Sequence, residues 1–285
     1  MGSPTFHQQT NYMKRTIVYL WVLAAAGFGS SITTLAQGLP KTQPKLLTII
    51  REEVKIGRNA EHSKAEAGWP AAFEKAKSTD YYIGLTSMTG PNEAWFIIPA
   101  ESHAAFSESF KKQDKDPILS AELDRLSLAD ADYINGARTL QAVARPDLTV
   151  GEFPDVNKAR FFEVTFFRIH PGHSMQFEEA AKAYAAARKR ADEKSGYRVY
   201  QVIAGMASPT YLVISSVEDY GQFDQRMAAD MGTWQKATDD EKAILEKAGR
   251  EAIIGEESNR FRVDPRMSFV PKETRDSDKE FWMPK

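Results

Sequence analysis

The feature that most constrains this chain is an internal duplication. Four short patterns of the first half recur in the second half, in the same order and at nearly the same spacing. One such match could arise by chance, whereas four in register predict two copies of one structural unit. The matched segments are the apolar runs at residues 95–98 and 211–214, the glycines Gly57 and Gly172, the tetrapeptides 133–136 and 252–255, and the closing segments 138–150 and 259–270.

Each copy shows the same order of predicted elements: a strand, a helix, a hairpin, a helical region and a last strand. In the second copy Phe162, Val164 and Phe166 alternate along a predicted strand. Residues 174–194 then carry apolar side chains at helical spacing. The corresponding helix of the first copy contains Pro70, which lacks a backbone donor and breaks helices. We therefore expect two pieces there, over residues 59–68 and 70–77.

This order of elements, with helices on one face of a small antiparallel sheet, predicts an α+β fold built from ferredoxin-like units. The other face of each sheet is too apolar to remain in water, so we expect the two fused copies to pack these faces together. The candidates for this buried face are Phe161, Thr165, Phe167, Tyr200, Tyr82 and Trp95.

In element order and duplication, residues 45–270 resemble the dimeric α/β-barrel superfamily in a fused, two-copy form. Similar proteins include the antibiotic-biosynthesis-monooxygenase-like and NIPSNAP-like groups. The resemblance implies tandem duplicated ferredoxin-like units whose antiparallel sheets pack as an intramolecular dimeric α/β barrel. It also implies that one chain completes the barrel, which makes a monomer as well as a homodimer possible. The superfamily includes cofactor-independent oxygenases, haem enzymes and members without an assigned activity, so the fold does not select a function.

The chain divides into six expected segments. They are an N-terminal extension and signal peptide (1–36), a linker (37–45), a first repeat (46–150), a second linker (151–160), a second repeat (161–271) and a charged tail (272–285). The tail either docks across the surface or is disordered.

The N-terminal segment has the pattern of an export signal. Lys14 and Arg15 precede an apolar stretch at residues 16–29, and small residues at 34–36 favour cleavage before Gln37. Met13 is an alternative start, and an uncleaved anchor is the alternative to cleavage. We expect a periplasmic or secreted protein that has no membrane contact after cleavage.

Composition removes several classes of function. The formal net charge is -2 at pH 7, which gives no electrostatic reason to expect nucleic acid as a partner. The chain has no cysteine, so a disulfide, a thiolate nucleophile and a cysteine-ligated zinc are excluded. No phosphate-binding loop, dinucleotide fingerprint or nucleophile elbow is present. We expect no cofactor.

The turn at residues 170–173 holds a pair of histidines. His170 and His173 could accept a proton, or could bind a metal if a carboxylate such as Glu163 or Glu178 completed the site. The alternative is a solvent-exposed basic turn without a metal. In a third interpretation, this turn and the equivalent turn at Arg58 contact an anion beside the helix N-termini that follow them.

Glu163 stands inside an apolar strand. If its side chain faces the space between the sheets, burial would raise its pKa, and it could act as a general base. The alternative is a carboxylate at the strand edge, paired with Arg168 or Arg198.

Aromatic residues on the two predicted hairpins could line a pocket for a flat ligand, or could simply pack in the core. They are Tyr82, Trp95, Tyr197, Tyr200 and Tyr211. The leading hypothesis is an exported protein that binds a small, partly apolar ligand. The alternatives are a cofactor-independent oxygenase or isomerase with a carboxylate or histidine base, and a structural or interaction protein of the cell envelope.

Overall fold

A computed structural model describes residues 39–284, whose strands form one closed antiparallel barrel. The strands are β1 (Leu46–Val54), β2 (Ile83–Ser87), β3 (Glu93–Ala100), β4 (Ile134–Ala144), β5 (Phe161–Ile169), β6 (Arg198–Ala204), β7 (Thr210–Val217) and β8 (Ile253–Val263). Their order around the barrel is β1-β3-β2-β8-β5-β7-β6-β4. The signal sequence expected at residues 1–36, with cleavage before Gln37, lies outside the described residues.

The two copies contribute four neighbouring strands each, in the same arrangement. The first copy is ordered β4-β1-β3-β2 and the second copy is ordered β8-β5-β7-β6. Two antiparallel seams join the copies, one between β2 and β8 and one between β4 and β6. The expected α+β fold, in which tandem ferredoxin-like units close an intramolecular dimeric α/β barrel, is therefore confirmed.

Helices cover the outside of the barrel. They are α1 (Asn59–Glu66), α2 (Gly68–Lys75), α3 (His103–Asp114), α4 (Pro117–Asp130), α5 (Ser174–Arg190), α6 (Gln222–Lys236), α7 (Asp239–Glu251), α8 (Lys272–Ser277) and α9 (Lys279–Trp282). Within residues 39–284, none of them is long and apolar enough to cross a membrane.

The first helix of copy one is split in two, as expected, but the break lies before Pro70. Helix α1 ends at Glu66 and α2 begins at Gly68, so Pro70 falls in the first turn of α2. Backbone N–H groups in the first turn of a helix have no intrahelical acceptor, so proline costs little there.

Backbone register supports the duplication and corrects one match. A bulge follows Glu53 in β1 and Arg168 in β5, which makes Arg51 equivalent to Phe166. Arg51 pairs with Trp95, and Phe166 pairs with Leu212. Trp95 therefore corresponds to Leu212, one residue beyond the Tyr211 suggested by the sequence match.

The turns after β1 and β5 are also equivalent. Gly57 and Gly172 both have positive φ, at 80° and 87°. Glycine adopts this left-handed conformation without the steric cost that other residues bear.

The faces of the strands differ from the sequence-based assignment at several positions. Trp95 and Tyr200 lie inside the barrel, as expected. On β5, however, Phe162, Val164 and Phe166 line the interior, so Phe161, Thr165 and Phe167 point outward. Tyr82 lies in the outer core of the first copy. Strand side chains alternate, so a shift of one residue moves every assignment to the opposite face.

One barrel end is covered by the C-terminal tail, which docks on the protein. Trp282 is 4% exposed, packs with the barrel core, and donates from Nε1 to the Asn157 carbonyl at 3.2 Å. The Arg160 guanidinium lies 3.7 Å from the centre of the Phe281 ring and pairs with Asp278 at 2.5 Å. Tail and linker thus form one cap.

Candidate functional site

The residues proposed from the sequence do not converge on one site. Trp95 and Tyr200 lie inside the barrel, Tyr82 lies in the outer core of the first copy, and Tyr197 and Tyr211 lie in that of the second copy. Arg58 is on an exposed turn, where its Nη1 donates to Glu61 at 2.8 Å. These aromatic residues therefore belong to three separate packing clusters.

Glu163 faces away from the barrel interior. One of its carboxylate oxygens accepts a hydrogen bond from Nε of Arg260 at 3.0 Å, so its partner is neither Arg168 nor Arg198. The condition for a desolvated base between the sheets is not met, because Glu163 is on the outer face and forms a half-buried ion pair.

The histidine turn has the geometry of a surface turn. His170 is exposed, and the centres of the His170 and His173 rings are 6.0 Å apart. Nδ1 of His173 lies 2.8 Å from Oε1 of Gln176. Glu178, one of the suggested third ligands, instead accepts from Nη1 of Arg145 and from the Tyr211 hydroxyl, both at 2.6 Å.

The Arg145–Glu178 pair predicts a pH effect. The hydrogen bond from Arg145, against a smaller opposing effect of burial, holds the pKa of Glu178 below its usual 4.5. A carboxylate with a lowered folded-state pKa contributes stability above the unfolded pKa and loses it as pH falls through the folded pKa. We expect the free energy of unfolding of Glu178→Gln to fall less than that of the wild-type protein between about pH 5 and pH 3, as measured by urea unfolding. The exposed Glu179→Gln control should retain the wild-type slope.

A buried ion pair lies inside the barrel near the end of β1. Arg51 donates from Nε and Nη2 to Glu93 at 3.1 and 2.8 Å, and its guanidinium lies 4.6 Å from the centre of the Trp95 ring. Nε1 of Trp95 donates to the same carboxylate at 2.7 Å, and Nη2 of Arg138 donates at 3.1 Å. Because these donors engage both oxygens of Glu93, the network stabilises the interior and does not offer a free base.

A second buried polar cluster lies between the sheet and the helices of the first copy. It consists of Glu52 on β1, His62 and Glu66 on α1, and Asp130 at the end of α4. Each side chain belongs to a residue that is 5% exposed or less. Nε2 of His62 is 3.0 Å from Oε2 of Glu52 and 3.7 Å from Oδ1 of Asp130.

The local sequence positions this cluster. Glu52 lies on the outer face of β1, and residues four apart on a helix share a face, so His62 and Glu66 point the same way. Burial, and then the charges of Glu66 and Glu52, raise the pKa of the nearby Tyr82 hydroxyl. The sequence-based interpretation missed this cluster. A signal for it was present, because a glutamate in a predicted strand is followed by a histidine and a glutamate that are four residues apart.

The open cavity of interest is a groove in the second copy, at the start of β6 and the end of β7, which we call the linker groove. It has a volume of about 600 Å³ and adjoins a second depression of about 490 Å³. The groove is surrounded by residues 151–154 of the linker, residues 193–196 after α5, the end of β7 and Arg226 of α6. Apolar contacts come from Phe153, Pro154 and Ile214.

Two arginines, one buried and one half-buried, line the linker groove. Arg198 is 7% exposed and donates from Nη2 to the carbonyls of Val150, Gly151 and Glu152. Nη2 of Arg226 donates to the Ser216 carbonyl at 2.7 Å. Burial lowers the pKa of both guanidinium groups, but arginine stays protonated in proteins. These hydrogen-bond acceptors are neutral carbonyls. Glu193, a half-buried carboxylate that also lines the groove, lies 3.7 Å from Nη2 of Arg188. The most buried charge of the groove is therefore the positive charge of Arg198.

The linker approaches the second copy closely at Gly151. A Cβ atom at Gly151 would lie 2.8 Å from the Cα of Gly196, and Gly151 has a positive φ of 75°. Glycine is therefore required at this wall of the groove.

Neither a family model nor a curated protein matches this chain. Among solved structures, it is similar to a monooxygenase-like protein from Fusobacterium nucleatum, with a TM-score of 0.50 and 11% identity, over 76% of this chain and 91% of that one. Another from Lactobacillus acidophilus has a TM-score of 0.49 and 8% identity, over 81% and 100%. A mutant chlorite dismutase from Candidatus Nitrospira defluvii has a TM-score of 0.45 and 10% identity, over 83% and 96%. At these identities the similarity shows the fold alone, and this fold is the one expected from the resemblance to the dimeric α/β-barrel superfamily.

Proposed function

We propose that this chain is an exported protein that binds a small, partly apolar ligand with an anionic group in the linker groove. The observation that carries the proposal is the meeting of Arg198 and Arg226 with apolar side chains in an open groove of about 600 Å³. Small-molecule sites have volumes of about 300–1,000 Å³ and combine apolar walls with a few placed polar groups.

The charge distribution favours an anionic group on the ligand. Three of the carboxylates that border the groove and its neighbouring depression are exposed to water: Glu152, Asp155 and Glu218. The fourth, Glu193, is half-buried and lies 3.7 Å from Nη2 of Arg188. Arg198 is buried and Arg226 is half-buried. Attraction between charges is stronger where water is excluded, so the two guanidinium groups should dominate recognition.

Export and assembly are further parts of the proposal. Export rests on the basic residues, the apolar stretch and the small residues of the first 36 positions. A monomer is favoured over a homodimer because one chain supplies every strand of the closed barrel in residues 39–284. Native mass spectrometry of periplasmic protein tests both points, since cleavage before Gln37 and the number of chains are each read from the mass.

The groove is tested by replacing Arg226. Thermal unfolding would be measured with a panel of aliphatic and aromatic carboxylates at millimolar concentration. We expect at least one compound to raise Tm of the wild-type protein by several degrees, and Arg226→Ala to lose about tenfold or more in affinity for it. Arg226→Lys should retain part of the binding because it keeps the charge.

Arg250→Ala is the matched control, because Arg250 is an exposed arginine of α7, outside the groove. It should bind like the wild-type protein. Equal binding by Arg226→Ala and the wild-type protein would place the ligand elsewhere and contradict the proposal.

A further inference from the structure

We infer that Glu52, His62, Glu66 and Asp130 bind one divalent transition-metal ion, of the Zn²⁺ or Mn²⁺ type, in the outer core of the first copy. Each residue offers one ligand atom, and these four atoms all lie within 4.8 Å of one another. Four donors at about 2.0–2.2 Å from one ion are separated by roughly 3.3–3.6 Å in a tetrahedral site. Side-chain movements of about an ångström are therefore enough to bring the four donors onto a common ion.

Burial is the first argument for a cation. Buried charged groups in proteins are stabilised by pairing or by coordinating a metal. Within this cluster three carboxylates stand beside a single imidazole, and all four residues are 5% exposed or less. A divalent ion held by three carboxylates and a neutral imidazole would offset two of the three negative charges.

The second copy provides an internal comparison at the same place in the fold. Counting from the equivalent bulges, Glu52 corresponds to Phe167. Counting from the equivalent helix starts, His62 corresponds to Phe177 and Glu66 corresponds to Ala181.

These second-copy residues form an apolar cluster. The Phe167 and Phe177 ring centres are 5.4 Å apart, and Ala181 packs in the same cluster. The fold therefore does not need polar groups at this position. Three of the four ligand-type residues of the first copy thus have apolar counterparts in the second copy, which indicates a bound ion that the second copy lacks.

The donor set indicates the class of metal. One imidazole disfavours Ca²⁺ and Mg²⁺, which prefer oxygen ligands alone. The absence of sulfur ligands in the cluster disfavours Cu⁺, which prefers soft donors. Three carboxylates and one imidazole suit Zn²⁺ or Mn²⁺.

The site is closed, which points to a structural ion. Catalytic zinc sites keep an open coordination position for water or substrate, whereas structural sites are filled by protein ligands. Here the ligands come from β1, α1 and α4, so an ion would connect one strand to two helices. We infer that the ion stabilises the first copy and takes no part in ligand binding at the linker groove.

The first measurement is the metal content of the full chain. Protein purified without chelator is expected to contain about one equivalent of a transition metal by elemental mass spectrometry. EDTA treatment should lower Tm, and ZnCl₂ or MnCl₂ alone, at about 100-fold excess over Kd, should restore it by roughly 5–10 °C. Whichever salt restores Tm at the lower concentration identifies the preferred ion.

Variants locate the ion. His62→Ala and Asp130→Asn should each reduce the metal content to below about 0.1 equivalent after dialysis. The double variant His170→Ala/His173→Ala is the matched control and should keep about one equivalent. Arg226→Ala should also keep the ion. The metal content therefore tests the metal site independently of ligand binding at the linker groove.

A fourfold variant keeps the test decisive where a single-ligand variant does not fold. Glu52→Phe/His62→Phe/Glu66→Ala/Asp130→Ala gives the first copy an apolar cluster like that of the second copy. It should fold without metal, and its Tm should not respond to EDTA, ZnCl₂ or MnCl₂. Less than about 0.1 equivalent in the wild-type protein, with a Tm insensitive to both salts, would overturn the inference. Retention of the ion by His62→Ala would do the same.

Discussion

Replacing Glu93 by alanine is expected to lower the free energy of unfolding by about 3–5 kcal/mol, because Arg51 would remain charged and buried without its carboxylate. The side chains of Arg51 and Glu93 are only 8% and 3% exposed, so water cannot replace the lost partner at low cost. Trp95 would also lose the acceptor of its Nε1 hydrogen bond. Equilibrium unfolding in urea, with the slope checked against the wild-type protein, measures the effect.

Arg138→Ala is the matched control for this prediction. Arg138 donates to the same carboxylate, but its side chain is 67% exposed, so its loss should cost less than about 1 kcal/mol. The double variant Arg51→Met/Glu93→Gln removes both buried charges and keeps an acceptor for Trp95. It should be more stable than Glu93→Ala. Equal stability of Glu93→Ala and Arg138→Ala would show that the buried pair does not stabilise the barrel.

Trp282→Ala is the second substitution for which we expect a large effect. Trp282 is 4% exposed and packs with the barrel core, so truncation should cost about 3–5 kcal/mol. Its Nε1 hydrogen bond to Asn157 links the tail to the linker, and this contact would be lost as well. Urea unfolding measures the change.

Met283→Ala is the control for the tail. Met283 is the next residue along the chain and is 56% exposed, so its truncation should change stability by no more than about 0.5 kcal/mol. A small effect of Trp282→Ala would mean that the tail covers the barrel without stabilising it.

The fold could be predicted from the sequence because its strongest signal, the duplication, extends over both copies. Element order and the two turn glycines carry this information without any knowledge of side-chain contacts. Strand faces were harder to assign. On β5, aromatic residues occupy both faces, so the apolar pattern does not identify the inner one. Phe161 and Phe167 were placed inside for this reason, although Phe162 and Phe166 line the interior.

The candidate sites were less predictable than the fold. Glu52, His62 and Glu66 lie within 15 residues of sequence, but Asp130 joins them only because α4 packs beside α1. That packing depends on tertiary contacts that periodicity does not encode. The linker groove also depends on tertiary contacts, because one of its walls is irregular backbone that Arg198 holds by hydrogen bonds. From the sequence, Arg198 was considered only as a partner of Glu163. In the structure Glu163 pairs with Arg260 instead.

The two seams that join the copies have a consequence for the folding and assembly of the chain. Leu85 on β2 pairs with Val263 on β8, so this seam cannot close until nearly the whole chain is available. Until then the first copy presents bare strand edges, which readily pair with other strands. A second molecule offers the same β8 and β6 edges as the chain's own second copy. Two chains can therefore exchange halves and form a swapped dimer from the interfaces of the monomer. The connection between β4 and β5, at residues 145–160, then determines by its reach which of the two forms is favoured.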